Sequence, residues 1–118
     1  MADAPWRVEK PWGHELIWAH TDRYVGKILH VRAGHVLSCQ YHEHKDETMH
    51  VLSGEVILRI WPDADTEPVE RVMRPGESVR IVPFTIHSIE AVTDSDVLEA
   101  STPELDDVIR IKDRYGRT

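Results

Sequence analysis

Two histidines two positions apart, His42 and His44, are the residues whose types and spacing most directly indicate chemistry. In an extended strand, residues two apart point to the same face, so both imidazoles could ligate one metal ion. Glu47 has the wrong parity on an unbroken strand, but a corner at residues 45–46 would swing its carboxylate to the same side. His87 lies just inside a later strand, after a turn set by proline. Three imidazoles and one carboxylate suit Zn, Fe, Mn, Ni or Co, so the sequence predicts a divalent transition-metal site.

Short β-type runs separated by turn residues must position these side chains. Several runs alternate apolar and polar residues, as half-buried strands do, and glycine or proline punctuates the intervals between them. No window shows a 3.6-residue apolar stripe over three helical turns. The runs are 14–19, 24–32, 36–42, 47–53, 55–61, 69–74, 78–82, 86–92, 97–101 and 107–112. Ten short strands at close spacing predict an all-β fold built as an antiparallel sandwich or barrel.

Length and composition limit the classes of protein to which the chain can belong. Its 118 residues fit one domain, 1–118, and 41% hydrophobic residues suffice for one core. The formal net charge of −7 argues against general nucleic-acid binding, which needs an excess of cations. No apolar run of about 18 residues could span a membrane, and no N-terminal stretch resembles a signal peptide. Cys39 is the only cysteine, which excludes an internal disulfide and predicts a cytoplasmic location.

The metal-site residues also carry a family resemblance. Two spacings resemble the two motifs of the cupin superfamily, namely His42-x-His44-x2-Glu47-x6-Gly54 and Gly76-x6-Pro83-x3-His87. The short interval between His44 and Glu47 is similar to that in the cupin domain of type II mannose-6-phosphate isomerases, which is often fused to a mannose-1-phosphate guanylyltransferase. Residues 10–13 and 106–117 resemble the opening and closing segments of that family. The likeness therefore covers nearly the whole chain.

This resemblance implies a small cupin jelly-roll β-barrel, a double antiparallel sheet that holds a metal ion inside. It carries the metal ligands over to His42, His44, Glu47 and His87. One departure from the family pattern concerns the small molecule that the barrel binds. Glu43 stands where the isomerases tend to have histidine. An additional acid near the mouth of the barrel could disfavour a phosphorylated ligand.

Five further residues are predicted to contact a substrate. The resemblance implies substrate or phosphate contacts for Arg110 and Arg117 in the closing segment, and for Lys27 in the strand before the metal motif. Gln40 and Ser38 share the strand parity of His42, so we expect them to line the same cavity. Either could hold a metal-bound water or a substrate hydroxyl.

Three functions are compatible with these residues. The resemblance implies an aldose–ketose isomerase, or a related enzyme, acting on a small sugar or sugar phosphate. In that reaction a metal would polarise the carbonyl and stabilise the developing negative charge. The sequence identifies no general base, so the catalytic residues stay unassigned. The alternatives are an iron-dependent dioxygenase acting on a small carbonyl or enol, and a non-catalytic module that binds a small sugar.

General physics further predicts a homodimer, because small barrels with exposed edge strands often cover those edges by pairing. The N-terminal arm, residues 1–13 with Trp6 and Trp12, is the segment expected to cover a sheet edge. The predicted partners are therefore a small-molecule ligand and a second copy of the chain. Neither a nucleic acid nor a membrane is expected as a partner.

Overall fold

Residues 4–63 and 65–116 are described by the computed structural model, and this part of the chain contains eleven β-strands and no helix. The strands are β1 (Trp6–Lys10), β2 (Gly13–His20), β3 (Val25–Val31), β4 (Cys39–Tyr41), β5 (Glu47–Ser53), β6 (Val56–Trp61), β7 (Val69–Met73), β8 (Ser78–Ile81), β9 (Ile86–Ala91), β10 (Ser95–Ser101) and β11 (Ile109–Lys112). The all-β prediction is therefore confirmed. No helix in these residues has the length and hydropathy that a membrane span requires.

The strands form two antiparallel sheets that share one apolar core. The first sheet has the order β1-β2-β3-β10-β5-β8, and the second has the order β11-β4-β9-β6-β7. Many neighbours in a sheet are distant in sequence, as β3 and β10 are, which is the arrangement of a jelly roll. The core residues come from both sheets and include Trp12, Leu29, Val31, Met49, Val51, Val56, Leu58, Met73, Ile81, Ile89, Ala91 and Val97.

Strand β5 shows how strand alternation places a charged side chain in the interior. Glu47, Met49 and Val51 are buried, whereas Thr48 and Leu52 on the opposite parity are exposed. Since side chains alternate between the two faces of a strand, the carboxylate of Glu47 points to the same side as the apolar residues. The strand begins at Glu47, as a corner at residues 45–46 predicts.

The hairpin between β5 and β6 depends on Gly54. This residue has a φ of +83°, a conformation that glycine adopts without steric strain. A Cβ atom at this position would also overlap the hydroxyl of Ser95 and the carbonyl oxygen of Asp94. Glycine is therefore required both for the backbone conformation and for space. The turn sets β6 beside β9, which carries His87.

The N-terminal segment forms a strand that is not among the runs predicted from the sequence. Trp6–Lys10 is β1, which pairs with β2 and is the outer strand of the six-stranded sheet. Of the arm that is predicted to cover a sheet edge, residues 4–13 are described. Trp6 and Val8 alternate with exposed polar residues, but the segment is short, and its pairing with β2 on one side makes it the edge strand.

Strand β4 is shorter than the predicted run 36–42. It spans Cys39–Tyr41, and Val36 forms only an isolated bridge with Glu90. The chain bends at residues 43–44. His42 consequently lies just after the strand, and strand parity no longer determines where the residues after it point.

Candidate metal centre

Three side chains with metal-ligating atoms converge between the two sheets. His42 follows β4 and His87 belongs to β9, both in the five-stranded sheet, whereas Glu47 begins β5 in the other sheet. One atom from each side chain lies within 4.8 Å of the other two. The three residues are buried, with exposed fractions of 1%, 4% and 3% for His42, His87 and Glu47. Such a group could hold one metal ion.

Hydrogen bonds determine which nitrogen of each imidazole faces this group. His42 Nδ1 donates to the carbonyl oxygen of Asp107 at 2.6 Å, and His87 Nδ1 donates to the carbonyl oxygen of Thr85 at 2.8 Å. The Nε2 atoms face the Glu47 carboxylate, 3.6 Å from Oε2 for His42 and 3.4 Å from Oε1 for His87. Metal-binding histidines commonly have this second hydrogen bond, which fixes the tautomer and the ring orientation.

The donor atoms fit a divalent transition metal. Nε2 of His42 is buried and has no hydrogen-bond partner, which is unfavourable unless another group, such as a metal ion, satisfies it. Two imidazoles and one carboxylate are ligands that Zn, Fe, Mn, Ni and Co accept. A set of three protein ligands also leaves coordination positions open for water or substrate.

His44, the fourth ligand that the sequence predicts, lies outside this group. Its side chain is exposed, whereas the next residue, Lys45, is buried with 3% exposure. The prediction assumes an unbroken strand, but β4 ends at Tyr41 and the backbone N–H groups of Glu43, His44 and Lys45 all donate to the Asp107 carboxylate. This turn directs His44 to solvent and Lys45 inward. Among the described residues, the group that could hold a metal ion therefore has three members, and His44 is not one of them.

Asp107 is expected to stabilise this turn through its carboxylate. Burial alone would raise the pKa of Asp107, but its three backbone N–H donors, at 2.7–3.0 Å, lower that pKa below its ordinary value. Asp107→Ala leaves the three donors without their acceptor. We expect it to lower the free energy of unfolding by about 2 kcal/mol at neutral pH.

The pH dependence of this effect has a defined sign. Because folding lowers the pKa of Asp107, its contribution is complete above the unfolded value of about 3.9 and is lost as the pH falls through the folded value. Urea denaturation of the wild type and of Asp107→Ala, from pH 7 down to pH 3, should show a shrinking difference. The adjacent exposed residue provides the control, Asp106→Ala, which should change little. Equal losses in both variants, or a difference independent of pH, would contradict this prediction.

A chain of buried ion pairs leads away from the candidate metal site along the interior. Lys45 Nζ lies 3.0 Å from Glu47 Oε2 and 3.1 Å from Glu99 Oε2. Lys27 Nζ lies 3.5 Å from the same oxygen of Glu99 and 3.2 Å from Glu15 Oε1. The side chains of all five residues are at most 15% exposed. Water therefore screens these charges only weakly.

Burial and neighbouring charges give two carboxyls of this chain, Glu47 and Glu99, different proton affinities. Burial raises the pKa of Glu99, and the charge of Glu47 raises it further, against the opposing effect of two lysines. Burial alone would also raise the pKa of Glu47, but His42, His87 and Lys45 hold it well below its usual range. Burial opposes the charged form of Lys45, yet Glu99 and Glu47 raise its pKa, so it remains an ammonium. Carboxyls with separated pKa values are typical of acid–base sites.

Three residues of the ion-pair chain are not among the predicted site residues, namely Lys45, Glu99 and Glu15. For Glu99 a local signal exists, because it shares strand parity with Val97 and Ser101, which are also buried in β10. A charged residue on the interior face of a strand is uncommon and needs a partner. For Lys45 strand parity gives no signal, since the residue lies in the turn before β5.

A cavity of about 290 Å³ opens beside the candidate metal site and is lined in part by Glu47 and His87. Four of the five residues predicted to contact a substrate also line it, namely Lys27, Ser38, Gln40 and Arg110. The hydroxyl of Ser38 donates to the side-chain oxygen of Gln40. The fifth predicted residue, Arg117, lies outside the described residues.

Comparisons of the sequence identify the family. A family model described as Mannose-6-phosphate isomerase C-terminal matches residues 2–113. The mannose-1-phosphate guanylyltransferase of Escherichia coli (strain K12) is 34% identical over 115 residues, which are 93% of this chain and 23% of that protein. The chain thus spans about a quarter of the length of the curated relatives that it matches.

Solved structures share the fold at low sequence identity. The capsular polysaccharide assembling protein CapF from Staphylococcus aureus has a TM-score of 0.76 and 21% identity, over 95% of this chain and 35% of that chain. An RmlC-like cupin from Shewanella frigidimarina NCIMB 400 has a TM-score of 0.73 and 13% identity, over 87% of each chain. The chain therefore belongs to the family of mannose-6-phosphate isomerase C-terminal domains and has the cupin jelly-roll fold.

Proposed function

We propose that this chain is a metal-dependent isomerase that interconverts an aldose and a ketose. The observation that carries the proposal is that the His42, Glu47 and His87 group borders the same cavity as the buried carboxyl of Glu99. A metal site beside an acid–base group is what this reaction needs. The family supports a sugar as the substrate, since its name and those of the curated relatives refer to mannose phosphates.

The reaction moves a proton between two adjacent carbons while negative charge develops on the neighbouring oxygens. When bound, the metal supplies polarisation of the substrate carbonyl and stabilisation of that charge. We assign the uptake and return of the proton to the Glu99 carboxyl, which lines the cavity and has a raised pKa. Lys45, 3.1 Å from Glu99 Oε2, holds this carboxyl in place. Gln40 and Ser38 offer hydrogen bonds to sugar hydroxyls.

The test is isomerisation in D2O by protein replenished with a divalent metal. With mannose or mannose 6-phosphate, we expect the corresponding ketose with deuterium at C1, and deuterium at C2 of the aldose re-formed by the reverse reaction, both observable by NMR. Glu99→Gln should slow both by at least about 100-fold, which is the typical contribution of a general base, while metal stoichiometry stays unchanged. The matched control is Glu70→Gln, on an exposed glutamate that pairs with Arg59.

Two outcomes would contradict the proposal. One is the absence of both ketose and deuterium exchange in protein whose bound metal has been confirmed. The other is saturable stabilisation by a sugar without conversion, which would indicate a binding module instead. Retention of full exchange by Glu99→Gln would contradict only the assignment of the base.

The three-member ligand set favours a second candidate function. Two histidines and one carboxylate with open positions are the ligand set of non-haem Fe(II) oxygenases. Protein loaded with Fe(II) and given a small dicarbonyl or enol should then consume oxygen. Activity that Zn or Ni supports equally well would contradict this candidate, as would the absence of oxygen uptake with iron confirmed in the site.

A further inference from the structure

We infer that the cavity selects sugars without a phosphate group, because its ammonium groups are already shared among its own carboxylates. The inference deepens the proposed function, on which it rests for the sugar as ligand. It differs from what the family name alone would indicate, since that name refers to a sugar phosphate. It also identifies Glu15 as the residue that determines this selectivity.

Each lysine that lines the cavity has a carboxylate within ion-pair distance. Lys10 Nζ lies 4.0 Å from Glu15 Oε2, and Lys27 Nζ lies 3.2 Å from Glu15 Oε1. Lys27 and Lys45 also share Glu99 Oε2, at 3.5 Å and 3.1 Å, and Lys45 contacts Glu47 at 3.0 Å. A phosphate could bind these ammoniums only by competing with carboxylates that are already in contact with them.

The pairing persists when Glu99 takes up a proton. In that state Lys27 keeps its contact with Glu15, and Lys45 keeps its contact with Glu47. The compensation of Lys27 and Lys45 therefore does not depend on a single carboxylate.

The described lining of the cavity balances its formal charges. It contains four cationic side chains, Lys10, Lys27, Lys45 and Arg110, and four acidic ones, Glu15, Glu47, Glu99 and Asp106. A phosphate dianion would approach these acids at short range in a region that water screens weakly. A bound metal ion would add positive charge beside Glu47, where we expect the reacting oxygens of the sugar to bind. It would not add positive charge beside Glu15. By contrast, the neutral hydroxyl and amide of Ser38 and Gln40 suit uncharged sugar hydroxyls.

Glu15 is the residue at which the inference can be tested. It neutralises both Lys10 and Lys27, and it is the most exposed carboxylate of the ion-pair chain, at 15%. Glu15→Gln keeps the size of the side chain and releases the two ammoniums from their shared anion. We therefore expect this variant to gain affinity for phosphate esters.

The experiment measures dissociation constants by titration calorimetry on metal-loaded protein. The probes are three pairs, namely mannose, glucose and fructose, each against its 6-phosphate. In the wild type we expect at least one free sugar to bind at least tenfold more tightly than its phosphate ester. In Glu15→Gln we expect affinity for the phosphate ester to rise at least tenfold, and to rise more than the affinity for the free sugar. Glu9→Gln is the matched control on the neighbouring strand, since Glu9 is exposed and pairs with Arg7, and it should behave as the wild type.

Three results would overturn the inference. These are equal or tighter binding of the phosphate esters by the wild type, no gain of phosphate-ester affinity in a folded Glu15→Gln variant, and failure of all three free sugars to bind. The first and third need no variant, so a variant that does not fold leaves the test intact. Preference for a free sugar without any isomerisation would contradict the proposed function and support the inference.

Discussion

Zinc binding by His42→Ala is expected to be at least about 100-fold weaker than by the wild type, and His87→Ala should show the same loss. Each variant removes one of the two Nε2 atoms that face Glu47, so two ligands remain where three converge. The ion should then no longer bind stoichiometrically. Metal analysis measures the stoichiometry of bound zinc, and calorimetric titration with Zn²⁺ measures its affinity. The stabilisation that Zn²⁺ gives the wild type should also disappear, because it depends on binding to the folded form.

The matched control is His44→Ala. His44 lies two residues from His42 in the same turn, but its side chain is exposed and outside the ligand group. Its substitution should leave zinc stoichiometry and affinity close to those of the wild type. Loss of zinc from His44→Ala, equal to that from His42→Ala, would contradict the three-member ligand set. It would instead support the four-member set that includes His44. Retention of zinc by both His42→Ala and His87→Ala would contradict the site itself.

Lys45→Met is expected to lower the free energy of unfolding of the metal-free protein by about 3–5 kcal/mol. The substitution keeps an unbranched side chain but removes the only ammonium that contacts both Glu47 and Glu99 among the described residues. Two buried carboxylates then lose a cation at about 3 Å, and burying a charge without a partner is strongly unfavourable. Urea denaturation at neutral pH, with a chelator present, measures the loss.

An exposed ion pair beside it provides the control. Arg80 pairs with Asp46 at 2.6 Å, but the two side chains are 66% and 33% exposed, so Arg80→Met should change stability little. Zn²⁺ should stabilise Lys45→Met more than it stabilises the wild type, because the ion replaces a missing positive charge beside Glu47. Equal stability of Lys45→Met and the wild type would contradict the structural role of this ion pair.

The sequence alone determined the class of fold and most residues of the candidate metal site. Alternation of apolar and polar residues, with glycine at the hairpin turn, is a local pattern that indicates strands, and the observed β5 begins and turns where that pattern predicts. The same pattern places Glu47 on the interior face. The spacing of His42, Glu47 and His87 identifies residues that the two sheets bring together. Local sequence patterns are enough to identify these residues because each lies within a predicted strand or directly beside one.

Only the tertiary structure decided which of His44 and Lys45 enters the interior. Strand parity favours His44, but the turn is held by the Asp107 carboxylate, 62 to 64 residues further along the chain. No pattern within the motif contains that contact, so the direction of both side chains depends on the packing of a distant segment. The ion-pair chain has the same origin, since Glu15, Lys27 and Glu99 lie on three strands that meet only in the folded sheet. Strand periodicity is set by neighbours in sequence, whereas the partner of a buried charge is set by neighbours in space.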